Sequence, residues 1–182
     1  MKPPRFGAVL TAMVTPFDAN GGLDIDAGVS LARYLVEHGS DGLVLAGSTG
    51  EGSALSDDEK CALFAAVAEA VTVPVLAGTS SADTTRSIEL TREATALGVA
   101  GILATTPAYA RPSQAGIAQH LAAIADATSL PVMLYDIPAR TGRALQSSTT
   151  IELVRTVTNI VALKDASGQL AAAALTKATL GD

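Results

Sequence analysis

A short apolar run followed by an amphipathic one recurs along this chain. Strand starts fall roughly every 30 residues, the length of one strand plus its crossover helix. Ala8 to Val14 reads as a strand, and Asp26 to Glu37 as a helix bearing apolar Val29, Leu31, Leu35 and Val36. Gly42 to Ala46 is the second strand. The helix after it opens on SDDE at Ser56 to Glu59, where the serine caps and the glutamate answers it. Val73 to Ala77 pairs with a helix over Asp83 to Leu97 that Gly98 ends. Ala100 to Ala104 precedes Gln114 to Ala127, Pro131 to Tyr135 precedes Ser148 to Val157, and Ile160 to Leu163 precedes Gln169 to Leu180.

Six βα units with no meander of adjacent short strands predict an all-parallel α/β sheet covered by helices. Two architectures compete. A doubly wound open sheet would carry a glycine-rich dinucleotide loop after its first strand, whereas Thr15-Pro16-Phe17 stands there. A TIM (β/α)8 barrel needs two more units than the chain supplies. No Pro/Ser linker or charge run divides the sequence, so residues 1–182 are expected to form a single, partial barrel domain.

Composition excludes several classes. The 182 residues are 48% apolar, enough for a sizeable core, and carry a net charge of -6 with 12 basic residues. That balance disfavours nucleic acid or an anionic membrane as partner. Cys61 is alone, so it forms no internal disulfide and is expected to pack on a helix as a small hydrophobe, the alternative being a catalytic thiol. His38 and His120 fall in helical patterns far apart, and no His, Cys and carboxylate cluster has ligand spacing, so no metal is expected. MKPPRFGAVL has too short an apolar segment for a signal peptide, and no stretch approaches a membrane span. A soluble, cytoplasmic protein is expected.

In a parallel α/β architecture functional groups collect at the carboxyl ends of strands. Those positions hold Thr15, the turn GSTGEG at Gly47 to Gly52, Gly78-Thr79-Ser80, TTPAY at Thr105 to Tyr109, then Tyr135 and Lys164. Hydroxyls, two phenols and one lysine thus converge on one rim. Of the four lysines, Lys164 alone follows a hydrophobic run; it either reaches solvent, pairs with Asp165, or serves as an amine. A lysine partly withdrawn from water loses solvation of its charged form, and a neutral amine becomes accessible. Such an amine attacks a ketone to form a Schiff base, whose protonated form stabilises a neighbouring carbanion. Phenols and hydroxyls nearby could shuttle the protons. GSTGEG is either a backbone nest for a phosphate or carboxylate, or simply a tight βα turn, and it lacks the spacing and lysine of a Walker loop. Arg140, in YDIPARTG, is either a carboxylate holder on a Pro/Gly loop or a surface arginine.

GSTGEG, TTPAYARPSQ, LYDIPARTG and VALKDASG occur in the order and spacing of one family, and the likeness runs from TAMVTPF to LKDASG. The chain resembles the dihydrodipicolinate synthase / N-acetylneuraminate lyase family of class I, pyruvate-handling lyases, and so the TIM barrel. The resemblance implies that Lys164 is the Schiff-base lysine and Tyr135 the phenol relaying protons at the imine. Ser48 matches the first hydroxyl of the family's Thr-Thr pair, part of a proton relay, and Thr49 the second, which holds the pyruvate carboxylate. Tyr109 matches the relay tyrosine that family dimers insert into a neighbouring subunit's site, and Arg140 the arginine binding the second substrate's carboxylate. The implied reaction condenses pyruvate with L-aspartate 4-semialdehyde, an early step toward diaminopimelate and lysine. It needs no cofactor, because the imine forms on Lys164. The resemblance further implies small keto-acid and aldehyde substrates and a homotetramer built from tight dimers.

Three positions differ from the synthase pattern: Ser48 for threonine, Ala108 for the first of a Tyr-Tyr pair, and Asp136 for asparagine. Arg140 is present where sialic-acid lyases lack it. The alternatives are a sialic-acid or 2-keto-3-deoxy sugar-acid aldolase on the same scaffold, or an inactive remnant. Because a full barrel takes about 250 residues, the chain is either a fragment or completed by another chain, and a fragment is expected.

Overall fold

The computed structural model describes residues 5–181. Among the described residues, six strands and seven helices follow one another, each strand followed by a helix as the apolar periodicity requires and β5 by two: β1 Leu10–Ala12, α1 Ile25–Glu37, β2 Gly42–Leu45, α2 Asp57–Ala70, β3 Val75–Gly78 and α3 Thr84–Ala96, then β4 Gly101–Thr105, α4 Gln114–Asp126, β5 Val132–Asp136, α5 Pro138–Thr141, α6 Ser147–Thr156, β6 Ile160–Asp165 and α7 Leu170–Leu180. The strands are hydrogen-bonded in sequence order, β1 through β6. Each pair whose register is resolved, β1 with β2, β2 with β3 and β5 with β6, runs parallel. This is the order of the first six βα units of a TIM barrel. The sequence placed every strand and the six long helices to within a few residues. It missed α5, a single turn that begins on Pro138 and ends on Gly142 at φ 76°; Arg140 therefore sits on a helical turn, not on an open loop.

The chain divides into two compact units, one of residues 1–79 and 92–102 and the other of 80–91 and 103–182. In the first, all four residues of β2 and of β3 are buried, as a strand covered on both faces must be. Leu43, Leu45 and Leu76 from these strands and Leu63 and Phe64 of α2 belong to its core, all at 0% exposure. Each such side chain stabilises the fold by roughly 1.5–3 kcal/mol. The helix that presents them starts where the sequence says. Ser56 Oγ accepts from Glu59 N–H at 3.2 Å and Glu59 accepts from Ser56 N–H at 2.8 Å, a complete capping box.

In the second unit, Ile117, Leu121 and Ile124 of α4 and Leu134 of β5 are fully buried. Ser113 caps α4 through its hydroxyl. Asn159, just before β6, donates from its amide to three carbonyls, of Ala125, Thr128 and Leu130, and so ties the start of β6 to the turn entering β5.

Candidate active site

In the first unit, the turn GSTGEG is shaped by close backbone approach. Ala46 takes φ 50° and Glu51 φ 54°. A Cβ on Gly52 would lie 1.9 Å from the Ala46 carbonyl oxygen, and one on Gly78 at the end of β3 would lie 2.5 Å from the same atom. Glycine is needed at both positions because backbone occupies the space. Buried Thr15 donates its hydroxyl to the Gly50 carbonyl at 2.6 Å and holds the turn from below. The result presents Ser48 and Thr49 exposed at its tip, on a main chain fixed beneath them.

In the second unit, the structure brings together two of the residues expected at the site. Tyr135 and Lys164 are partners across the parallel β5–β6 register, and Lys164 Nζ lies 4.3 Å from the centre of the Tyr135 ring. Tyr135 is buried at 5% exposure, and Lys164 is half-buried. A cation or amine over an aromatic face at this range is attracted by the ring's quadrupole. The register that makes this rung is not continuous. Val132 pairs with Ile160 but Met133 pairs with Ala162, leaving Val161 as an extra residue on β6. Val161 is not predictable from an apolar run that reads alike in either register.

Asp136 and Asp165 form the next rung. Strand alternation turns them to the opposite face from Tyr135 and Lys164, where they line a cavity of about 310 Å³ with residues of α6 and α7. Asp136 is 6% exposed. Burial raises its carboxyl above the ordinary value, the Leu145 N–H at 3.0 Å pulls it back, and the Asp165 charge adds to the rise.

The other two expected residues of this unit lie on the loop after β4 and on α5. Tyr109 follows β4 with φ 69° and exposes 96% of its surface. Its N–H donates to the Thr141 carbonyl at 3.2 Å, tying its loop to the end of α5. Arg140 on α5 is exposed. Among the described residues, the four non-glycine residues in the left-handed region are Ala46, just before the GSTGEG turn, Glu51 within it, and Tyr109 and Arg111 in the TTPAYAR loop. Left-handed backbone held by its surroundings in this way is typical of loops that serve a site.

Other titratable groups stand apart from this chemistry. Cys61 lies on α2 and donates to Glu93 at 3.2 Å; burial, then that bond, pushes the thiol up to about 12, so it is protonated and a poor nucleophile. Lys60, at 4% exposure, is more buried than Lys164, which its polar-looking helix did not announce, but it is held in an ion pair with Asp57 at 3.3 Å.

The fold and the rung together define a TIM-barrel α/β protein that sets a lysine amine beside a phenol at the carboxyl ends of adjacent strands. The chain belongs to the Dihydrodipicolinate synthetase family, whose profile matches residues 5–182, as the four motifs led us to expect. A 4-hydroxy-tetrahydrodipicolinate synthase of Moorella thermoacetica is 55% identical over 168 residues, 91% of this chain and 57% of that protein. The crystal structure of a dihydrodipicolinate synthase of Bacillus anthracis superposes with a TM-score of 0.94 at 42% identity, over 97% of this chain and 61% of that one. A dihydrodipicolinate synthase of Acinetobacter baumannii, solved in complex with pyruvate, gives 0.90 at 36% identity over 94% of this chain and 60% of that one. The chain thus spans a little over half the length of these relatives.

Proposed function

We propose that the protein carrying this chain is a Schiff-base lyase that condenses pyruvate with L-aspartate 4-semialdehyde to 4-hydroxy-tetrahydrodipicolinate. One observation carries the reading: the rung on which Lys164 Nζ stands 4.3 Å from the Tyr135 ring centre. In this mechanism neutral Lys164 Nζ adds to the keto carbon of pyruvate, and loss of water leaves a protonated imine. Loss of a methyl proton then gives an enamine, which attacks the aldehyde carbon of the second substrate. The substrate's own amino group displaces Lys164 from the imine and closes the ring, so the lysine is regenerated and one water is released overall. Tyr135 relays protons at the imine nitrogen and carbinolamine oxygen, with Ser48 as the next hydroxyl in the relay. Thr49 holds the pyruvate carboxylate and Arg140 the carboxylate of the semialdehyde. No cofactor takes part, since the imine nitrogen is the protein's own.

Tyr109 belongs to the same proposal as the phenol one copy lends to another in a homo-oligomer, a dimer of dimers. Its support is the 96% exposure of an aromatic ring, a large apolar surface that a second chain would cover. Location in the cytoplasm is also part of the proposal.

Borohydride reduction in the presence of pyruvate tests the reading. In the natural full-length protein carrying this sequence, the reduced adduct should map to Lys164, and Lys164→Arg should take none. An adduct elsewhere, or none at saturating pyruvate, removes the assignment. Turnover of aspartate semialdehyde in preference to N-acetylneuraminate and 2-keto-3-deoxy sugar acids then identifies the second substrate.

A further inference from the structure

The strand bearing Tyr135, β5, lies between β6 and β4, and the last residue of β4 is Thr105. The Thr105 hydroxyl donates to the Tyr135 carbonyl at 2.9 Å. The Thr105 N–H in turn donates to the hydroxyl of Ser80, two residues past the end of β3, at 2.8 Å. Both bonds join a side chain to the main chain near the carboxyl ends of the strands. Strand ends are where backbone groups otherwise turn to water, and a carbonyl that does so takes its residue with it. Tyr135 is 5% exposed and Thr105 half-buried, so the bond is made largely out of water, where a hydrogen bond is costly to lose.

We propose that Thr105 is a positioning residue for Tyr135, and that Ser80 positions Thr105. The bonds from Ser80 through Thr105 to the Tyr135 carbonyl fix the height of the phenol on its rung and keep the ring over Lys164 Nζ. The residues preceding Thr105 in β4, Ile102, Leu103 and Ala104, are buried and apolar, so packing there would accept valine as readily as threonine. The hydroxyl is what distinguishes Thr105, and a Thr-to-Val change removes it at almost constant volume. The proposal rests on the reading of Lys164 as the imine-forming amine.

The test is the rate of borohydride-trapped pyruvate capture on Lys164 in the natural full-length protein, across Thr105→Val, Thr105→Ser, Tyr135→Phe and the Thr105→Val/Tyr135→Phe double variant. Loss of one buried hydrogen bond should slow capture about tenfold in Thr105→Val, with the half-saturating pyruvate concentration changed less than about twofold. Thr105→Ser, which keeps the donor, should recover to within about threefold of wild type. With the phenol absent, adding Thr105→Val should cost less than about twofold, because the threonine acts through Tyr135. Capture by Thr105→Val at the wild-type rate overturns the proposal, as does an equal loss in the Tyr135→Phe background, which marks a merely structural role. If Thr105→Val does not fold, Ser80→Ala should show a smaller loss with the same dependence on Tyr135, and an unchanged rate there overturns it equally. Wild-type protein that takes up no pyruvate on Lys164 is a different result; it sinks the amine assignment and this proposal with it.

Discussion

Lys164 faces Tyr135 because the one residue that β6 carries beyond β5 in the preceding stretch stands out of the ladder. Val132 is opposite Ile160, yet Met133 is opposite Ala162, so Val161 bulges out and Tyr135 falls opposite Lys164. Were Val161 paired with Met133 instead of bulged, the register would bring Leu163 opposite Tyr135 and turn Lys164 to the face that Asp136 occupies, since a one-residue slip inverts every side chain. Deleting Val161 should therefore remove the bulge and leave Tyr135 opposite Lys164, because Met133 already pairs with Ala162, and borohydride-trapped pyruvate capture on Lys164 should stay within about threefold of wild type. Circular dichroism should report unchanged helix content. A loss on the order of 100-fold, the scale of a misplaced reacting group, would show that the rung does not survive on the register beyond the bulge.

Gly52 supports the Ser48-Thr49 turn through space alone. It does not adopt a left-handed φ, but a methyl group there would meet the Ala46 carbonyl oxygen at 1.9 Å. Main-chain atoms have no rotamer in which to retreat, so Gly52→Ala should destabilise the protein by about 2–3 kcal/mol, at the upper end of overpacking costs. Urea denaturation measures this. A loss below about 0.5 kcal/mol, within the range of neutral surface changes, would mean that the turn can open without penalty.

Much of this was legible in the sequence, because hydrophobic period and cap residues are local. The strand-then-helix alternation is written in runs such as Gly42 to Ala46, and the Ser56–Glu59 box fixes where α2 begins. The family was legible too, since four motifs in fixed order are specific where each alone is not. What escaped notice depends on atoms distant in sequence. The buried state of Lys60 comes from the face of α2 it occupies. The bulge at Val161 is invisible in IVALK, where apolar residues fit either register, and the Thr105–Tyr135 bond joins residues 30 apart. The helical turn around Arg140 was hidden by Pro138 and Gly142, which read equally well as a loop.

Asp136 costs the fold stability at neutral pH. Its folded-state affinity for a proton is raised, first by burial and further by Asp165, so the folded form binds a proton more readily than the unfolded chain does. The penalty is therefore complete at high pH and disappears as pH falls through the raised value toward the ordinary carboxylate range. Asp136→Asn keeps an oxygen to accept the Leu145 N–H and removes the buried charge. It should stabilise the protein by about 1 kcal/mol at pH 7, with the gain shrinking toward pH 4. Equal urea midpoints for the two proteins at both pH values would refute this.

His120 works in the opposite sense. It is 3% exposed on α4, its Nδ1 lies 2.8 Å from Thr84 Oγ1, and its Nε2 has no hydrogen-bond partner. Burial lowers its proton affinity, with Asp83 opposing the effect. The folded state therefore keeps the ring neutral where the unfolded chain, titrating near 6.5, takes up a proton. Its contribution to stability is fully present above that value and is lost as pH falls through the folded-state value, at no more than about 1.4 kcal/mol per pH unit. His120→Gln retains an amide for Thr84 but cannot titrate. Between pH 7.5 and 5.0 the wild-type protein should lose on the order of 1 kcal/mol more than His120→Gln in urea denaturation. Parallel loss in the two would mean that the imidazole accepts its proton without cost, through an acceptor or water reaching Nε2.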